Sequence, residues 1–254
     1  MIKKFTFIFF TFILLCFCEN GRIIYKGEGI FSFEELTVEM WIKFNFDPNE
    51  KTDKVWIPKG SILNFEIPEE KTIFSISCGL KAGRKGEEDS RCYLRIGFCI
   101  EGKEIPYPVL IDCSNFSNNW HHIAILWQEG KKLTIYIDGN EILKSSLQEK
   151  IKKDFVGKSK LIIGTPLVWF YENQIEIDEI RISSIARKKE ELSIYKNIID
   201  PYVLFYENFE NIKEENGEIF TEPYIVSIES KGKYKIENGK IVEGKFGKGY
   251  LFSK

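Results

Sequence analysis

Two carboxylates within residues 175–182 have the spacing that places side chains on one face of a β-strand. Glu176 and Asp178 are two residues apart, so a strand points both the same way. Paired carboxylates on one surface can hydrolyse a glycosidic bond, one as nucleophile and one as general acid and base. The next position in phase is Ile180, or Arg181 if a β-bulge inserts one residue. Neither can protonate a leaving sugar, so the face carries no third carboxyl at the next position.

Asp178 and Asp138 are the acidic residues that we consider as metal ligands. Calcium takes six or more oxygen ligands, and neither residue lies in a dense run of alternating aspartates. A structural calcium site therefore stands beside a simpler interpretation, in which Asp178 accepts hydrogen bonds from loop amides or from Arg181. His121 and His122 are adjacent, so they face opposite sides of a strand and cannot chelate one ion together. We expect both histidines to be structural, and no other cofactor.

Exposed aromatic side chains can bind a sugar by stacking against its ring. Trp41 shares a predicted strand face with polar residues, which indicates a half-wet surface. Trp56, Trp169 and Tyr171 lie in predicted loops. These four residues are the candidate ligand contacts, although tryptophan most often fills a core.

The N-terminus has the composition of a secretory signal peptide. Two lysines precede a largely apolar run of 13 residues, Phe5 to Phe17, which is too short to span a bilayer. We expect cleavage after residue 18 and a secreted, cell-surface or periplasmic protein. The alternative is a lipoprotein lipidated at Cys18, the one case in which a membrane is an expected partner. The bulk of Phe17 disfavours it.

Four cysteines remain after residue 18, namely Cys78, Cys92, Cys99 and Cys113. An even number in an exported chain predicts disulfides. Of the three pairings we favour Cys78–Cys92 with Cys99–Cys113, because each pair is 14 residues apart, as two hairpins with long loops would give. The cysteines fit a zinc site less well than disulfides, since the sequence has no C-x-x-C pair.

Composition and alternation predict a globular all-β protein. The 254 residues, 43% of them hydrophobic and rich in Phe and Tyr, allow one large β domain or two small ones. Residues 36–44 alternate cleanly, and a bulge near Asp178–Glu179 would return the isoleucines of residues 175–182 to one face. One short helix is predicted near 187–197. The net charge of −2 gives no attraction to nucleic acid.

Two sequence strings resemble those of laminin-G-like and pentraxin domains, in the concanavalin A-like lectin/glucanase superfamily. They are W-H-H-I-A-I-L-W at 120–127 and L-T-I-Y-I-D-G at 133–139, and the Asp-Gly pair that ends the second string predicts a tight hairpin turn. The resemblance implies an antiparallel two-sheet jelly-roll sandwich. Catalytic members of this fold carry Glu, Asp and Glu at alternate positions, but here Glu179 falls out of phase and is expected on the opposite face. The string D-E-I-R-I at 178–182 resembles non-catalytic laminin-G-like domains instead.

The last 54 residues contain pieces that usually open a laminin-G-like domain, including G-K-F-G-K-G-Y-L-F at 244–252. Two interpretations stay open. In a circular permutation, residues 201–254 supply strands that complete the sandwich of residues 19–200. In a truncated array, they begin a second domain. We favour permutation, because half a sandwich alone would expose a long apolar edge.

The predicted function is binding rather than catalysis. Many laminin-G-like domains only bind, so the resemblance implies a secreted or cell-surface domain whose partner is a carbohydrate or another surface protein. One alternative is a glycoside hydrolase of the same fold. The other is a structural or adhesive part of the cell envelope.

Overall fold

The computed structural model describes much of the chain, largely as β-strands joined by turns. The described residues are 21–32, 34–45, 60–67, 71–81, 93–100, 103–112, 118–146, 159–164, 175–192, 199–227 and 231–252. The predicted signal peptide, Trp56, Trp169, Tyr171, Cys92 and Cys113 lie outside them. No helix in these ranges is long and apolar enough to cross a membrane.

Strands are numbered in chain order. The first nine are β1 (Arg22–Lys26), β2 (Glu35–Phe44), β3 (Gly60–Ile67), β4 (Lys71–Lys81), β5 (Tyr93–Ile100), β6 (Lys103–Asp112), β7 (Trp120–Gln128), β8 (Lys132–Ile137) and β9 (Asn140–Ser146). The others are β10 (Lys160–Ile163), β11 (Ile175–Ser183), β12 (Val203–Glu207), β13 (Ile212–Glu215), β14 (Glu218–Thr221), β15 (Tyr224–Ile225), β16 (Tyr234–Glu237), β17 (Gly239–Glu243) and β18 (Lys248–Phe252).

The strands form two antiparallel sheets, which confirms the predicted all-β sandwich. The first sheet has the order β13-β14-β16-β1-β10-β3-β4-β5-β6, and the second has the order β15-β12-β11-β2-β7-β8-β9. In the second sheet β18 also pairs with β11, and β17 pairs with β18. Side chains from both sheets meet in one core, where the rings of Tyr25 and Phe205 lie 5.0 Å apart.

The alternation of residues 36–44 sets the inner face of β2. Leu36, Val38, Met40, Ile42 and Phe44 are each at most 2% exposed and belong to the core. The outer face, predicted to be half-wet, is instead largely covered. Residues 189–192 and 244–248 cross this face, since Leu192 packs on Ala124 and Leu126 and the Phe246 ring packs on Trp41.

A β-bulge lies at the predicted position in β11. Asp178 pairs with Trp41 and Arg181 with Glu39, so two residues of β11 oppose one residue of β2. Glu179 takes φ +54°, a left-handed conformation that a bulge accommodates. Because of the extra residue, the isoleucines before and after the bulge all face the core: Ile175, Ile177, Ile180 and Ile182.

The predicted helix near 187–197 is wrong over its first half. The structure has a single 3₁₀ turn, Lys189–Glu191, which the Glu191 side chain closes by accepting a hydrogen bond from the Lys188 amide (2.9 Å). Leu192 is extended at φ −69° and ψ 149°, because its side chain turns back to pack against Ala124 and Leu126 on the sheet. Residues 193–198 lie outside the described part of the chain.

Cys78 lies in β4 and Cys99 in β5, on neighbouring strands but out of register. Cys78 pairs with Ile96 and Cys99 with Ser75. The two cysteines are therefore offset by three residues, or about 10 Å along the strand. Disulfides need Cα atoms within about 7 Å. This offset excludes a Cys78–Cys99 bond and leaves the favoured pairing a prediction.

Strands after residue 200 form hydrogen bonds in both sheets. In the second sheet Ile180 of β11 pairs with Glu207 of β12, and Ile177 pairs with Tyr250 of β18. In the first sheet Ile23 of β1 pairs with Ile236 of β16. The segment also supplies some of the most deeply buried rings of the core: Phe205, Phe209 and Tyr250.

Glu207 is a buried carboxyl that ties β12 to the opposite sheet. It is 1% exposed and accepts hydrogen bonds from the Tyr25 hydroxyl (3.0 Å), the Thr221 hydroxyl (2.8 Å) and the Phe209 amide (2.7 Å). Burial raises the pKa of Glu207 to about 7, although these hydrogen bonds favour the charged form.

Truncation after Asp200 should remove the cooperative fold. The remaining chain would lose β12, which pairs with β11, and β16, which pairs with β1. It would also lose three buried rings. We expect an insoluble or molten product that binds a hydrophobic dye and melts without a sharp transition. The full-length chain is the control, and a fragment with a cooperative melt would contradict this prediction.

The stability of the fold should decrease as pH rises from about 4.5 to about 7. A carboxyl whose pKa is higher in the folded state stabilises that state while it is protonated, and this contribution is lost as the pH passes the folded pKa of Glu207, about 7. Glu207→Gln should flatten this part of the pH profile of the unfolding free energy. Glu243→Gln, at an exposed strand position, should leave the profile unchanged, and equal profiles for both variants would refute the assignment.

Candidate functional site

The outer face of the second sheet carries three cross-strand rows of polar and aromatic side chains. Each row takes one residue from β7, one from β2 and one from β11, as the strand register dictates. The rows are Trp120–Lys43–Glu176, His122–Trp41–Asp178 and Ala124–Glu39–Arg181. They therefore contain both sequence-predicted carboxylates and one of the predicted tryptophans.

The first row forms a half-buried polar group beside an aromatic ring. Lys43 Nζ lies 2.7 Å from Glu176 Oε2, and the Asn45 side-chain amide donates to Glu176 Oε1 at 2.7 Å. The same ammonium lies 5.4 Å from the centre of the Trp120 ring. Glu176 is thus an ion-paired, hydrogen-bonded carboxylate and not an isolated one.

Asp178, in the second row, holds a loop of the C-terminal hairpin. Its Oδ2 accepts hydrogen bonds from the amides of Lys245 (2.9 Å) and Phe246 (3.0 Å), and its Oδ1 accepts one from the Glu179 amide (2.7 Å). Burial raises the pKa of Asp178 to about 7 against these bonds. The interpretation of Asp178 as an acceptor for loop amides agrees with this geometry.

Residues 244–248, which we call the 244–248 loop, have a second carboxylate anchor. Glu210 Oε1 accepts a hydrogen bond from the Lys248 amide at 2.5 Å. Within the loop the Gly244 amide donates to the Gly247 carbonyl (2.7 Å), and Gly247 has φ +99°, which a residue with a Cβ adopts only under strain. The loop backbone is therefore fixed at both ends.

The 244–248 loop covers Trp41. Lys245 Nζ lies 4.6 Å from the centre of the Trp41 ring, and the Phe246 ring meets it edge-on at 5.7 Å. Trp41 is consequently 7% exposed, so it lies beneath the surface on which it was predicted. Phe246 lies above it and is 48% exposed, so the loop places a different aromatic ring in solvent.

Arg181 occupies the third row and pairs with Glu39. Its Nε donates to Glu39 Oε2 at 2.7 Å, and its Nη2 donates to the Glu191 carbonyl at 2.9 Å. Arg181 is 2% exposed and Glu39 is fully buried. The position where a catalytic strand would carry its third carboxylate is thus a buried guanidinium.

Glu179 does not face the core, contrary to the expectation from its position in the sequence. Its carboxylate accepts a hydrogen bond from the Tyr206 hydroxyl, and Tyr206 pairs with Arg181, whose side chain is on the outer face. The left-handed conformation of the bulge residue turns its side chain outward.

A family model of the concanavalin A-like lectin/glucanase superfamily, Laminin_G_3, matches residues 21–193, which is more than half of the chain. The chain belongs to this superfamily. The match ends before β12, so the strands that carry the 244–248 loop lie beyond it. No curated protein matches the chain significantly.

Solved structures resemble the chain at low sequence identity. A candidate carbohydrate-binding protein from Bacteroides ovatus has 16% identity and a TM-score of 0.50, over 86% of this chain and 58% of that one. The receptor-binding domain of botulinum neurotoxin C/D mosaic serotype has 15% identity and a TM-score of 0.46, over 85% and 56%. The present chain thus spans less than two thirds of the length of either of these two proteins.

Asp138 lies in a hairpin turn of the superfamily fold. Asp138 and Gly139 both have positive φ, as the predicted Asp-Gly turn requires. Asp138 Oδ2 lies 2.7 Å from His121 Nδ1, and Oδ1 accepts a hydrogen bond from the His122 amide at 2.9 Å. Although burial opposes it, these bonds lower the pKa of Asp138. The carboxylate therefore stabilises the turn.

The two histidines have separate partners, as their adjacency predicts. His122 Nε2 lies 3.4 Å from the buried Glu39, whereas His121 contacts Asp138. Among the described residues, no group of three His, Cys, Asp or Glu side chains is arranged to hold a metal. Calcium binding elsewhere stays a hypothesis.

Sequence reasoning missed Lys245 and Phe246, the two residues of the 244–248 loop whose side chains lie against Trp41. Both belong to the string G-K-F-G-K at 244–248, whose resemblance to the opening of laminin-G-like domains indicates topology and not ligand contact. Lys43 and Trp120 were also missed as neighbours, because the register that joins them relates residues 77 positions apart.

Asp178→Ala should loosen the 244–248 loop without unfolding the sheet. Two loop amides would lose their acceptor, and a typical intramolecular hydrogen bond contributes about 0.5–1.5 kcal/mol. We expect trypsin to cleave after Lys245 and Lys248 faster than in the wild type, followed by mass spectrometry. Glu243→Ala, in the same hairpin, is the matched control, and unchanged cleavage in Asp178→Ala would disprove the anchoring role.

Proposed function

We propose that this protein is a non-catalytic carbohydrate-binding domain whose site is the solvent-facing part of the outer face around Phe246. The observation that carries the proposal is the fixed display of this ring. Phe246 is 48% exposed, yet its own amide is bound by the buried Asp178 (3.0 Å). An exposed ring on a rigid backbone loses little conformational entropy when a ligand stacks on it.

The neighbours of Phe246 have the chemistry that a sugar requires. Trp41 supports the ring from below, and the next row along β2 contains Lys43, Glu176 and the Trp120 ring. Sugar hydroxyls can donate to the carboxylate and accept from the ammonium, while the apolar ring faces of a sugar stack on aromatic side chains. A mixed aromatic and polar surface of this kind suits a carbohydrate better than an apolar ligand.

Hydrolysis is disfavoured by the state of the carboxylates. Glu176 is ion-paired with Lys43, Asp178 is bound to three amides, and Arg181 occupies the third position. A retaining glycosidase needs one free nucleophile and one protonated carboxyl about 5–5.5 Å apart across the bond that is cleaved.

The proposal places the domain outside the cytoplasm. It is supported by the basic and apolar residues 1–18 and by the even number of cysteines after them. We include the strands after residue 200 in the binding domain, since they supply Phe246 and the hydrogen bonds to β11 and β1. The alternative hypothesis for the same surface is that it binds another surface protein.

Phe246→Ala should reduce carbohydrate affinity about tenfold, which corresponds to roughly 1.4 kcal/mol of stacking. The probes are neutral gluco-, xylo- and manno-oligosaccharides, measured by titration calorimetry on the full chain. Ile142→Ala, which removes a 43% exposed side chain on β9, is the matched control and should bind as the wild type does. Equal affinities for both variants would reject the site.

The same oligosaccharides decide between binding and hydrolysis. We expect no release of reducing ends by the wild type. Substantial release that Glu176→Gln abolishes would overturn the non-catalytic assignment.

A further inference from the structure

Several of the most exposed apolar side chains of the described residues lie along one border of the second sheet. Tyr202 is 50% exposed, Tyr224 is 38% exposed and Val226 is 46% exposed. Tyr224 pairs with Tyr206 across β15 and β12, and the Val226 amide donates to the Leu204 carbonyl at 3.0 Å. We call these five residues, Tyr202, Leu204, Tyr206, Tyr224 and Val226, the tyrosine patch.

Alternation along β12 puts the tyrosine patch on the outer face of the sheet. Val203, Phe205 and Glu207 are buried in or against the core, whereas Leu204 and Tyr206 between them are half-buried. The patch therefore lies on the same side of the sandwich as Phe246.

Hydrogen bonds fix two of the three tyrosines of the patch. The Tyr206 hydroxyl donates to Glu179. The Tyr202 amide donates to Asp200 Oδ1 (2.9 Å), and its carbonyl accepts from the Ser184 amide (2.9 Å). Asp200 is itself held by two hydrogen bonds from Arg187. The rings are thus displayed on an ordered backbone, as Phe246 is.

The bulge of β11 connects the tyrosine patch to the carbohydrate site. Asp178 binds the Phe246 amide, and the next residue, Glu179, binds the Tyr206 hydroxyl. The patch and Phe246 therefore flank two consecutive residues of one strand. A long ligand that is bound at Phe246 and extends from Asp178 towards Glu179 would contact Tyr206 next.

The patch is better suited to a narrow ligand than to a protein. Five side chains cannot supply the roughly 800 Å² per partner of a stable protein interface. Strand addition is also disfavoured, because β15 has two residues and follows Pro223, which lacks an amide hydrogen. The Glu179 carboxylate binds the Tyr206 hydroxyl and has Glu210 as a neighbouring charge, so an anionic ligand at this part of the patch would be repelled.

We propose that the tyrosine patch extends the site at Phe246, so that the outer face binds a neutral polysaccharide chain over several consecutive sugars. This inference rests on the proposed function and assigns its ligand class, a chain rather than a single terminal sugar. The tyrosine rings stack on sugars that lie beyond Phe246, and their hydroxyls exchange hydrogen bonds with the sugar hydroxyls.

The test is the dependence of affinity on chain length. Neutral gluco-, xylo- and manno-oligosaccharides from disaccharide to octasaccharide are titrated against the full-length chain and against the double variant Tyr202→Ala with Tyr224→Ala. We expect the wild-type affinity to rise at least tenfold with length, and the double variant to bind the disaccharide normally but lose that rise. Ile142→Ala is the control for removing an exposed apolar side chain.

The outcomes separate the two proposals. If the double variant keeps the full length dependence, or if the wild type shows none, the extended site is wrong while the site at Phe246 stands. If no oligosaccharide of any length binds the wild type, both proposals fail. Circular dichroism and melting curves of the double variant should match the wild type, because both tyrosines are at least 38% exposed.

Discussion

The carboxylate of Asp178 is the point on which the outer face depends. Asp178 lies at the bulge where β11 changes its neighbour. Before the bulge Ile177 pairs with Tyr250 of β18, and after it Ile180 pairs with Glu207 of β12. A strand that changes neighbours leaves backbone groups to be satisfied, and Asp178 accepts the amides of the incoming 244–248 loop. One buried side chain thus fixes the local edge of the sheet and the position of Phe246.

The two ends of the outer face differ in how far their ion pairs are exposed to water. At one end Arg181 pairs with Glu39 beneath the 3₁₀ turn. Arg181 also donates a hydrogen bond to the Glu191 carbonyl of that turn. A buried ion pair is tolerated there because its charges are neutralised and hydrogen-bonded. At the other end the Lys43–Glu176 pair stays partly in water, with side chains 21% and 10% exposed. Only the second end keeps charges that a ligand can reach.

The inner face of the sandwich was predictable in some detail. Strict alternation in residues 36–44 places five apolar side chains in the core, since a register error of one residue would bury the polar set. The break of phase in β11 likewise predicted the bulge, because without it Ile180 and Ile182 could not join Ile175 and Ile177 in the core. The 3₁₀ turn that replaces a helix over residues 187–192 was not predictable, because charge pattern and spacing do not reveal that Leu192 packs on Ala124.

The sequence alone determined which apolar residues of β2 and β11 face the interior, where the hairpin at Asp138–Gly139 turns and that a bulge is required. These features follow from period-two burial and from local backbone preferences. Only the tertiary structure decided that Trp41 is covered and that Phe246 is displayed in its place. That outcome depends on contacts between residues more than 60 positions apart, Asp178 with Lys245 and Phe246. No local pattern encodes such a contact, since it exists only once both sheets have closed around their core.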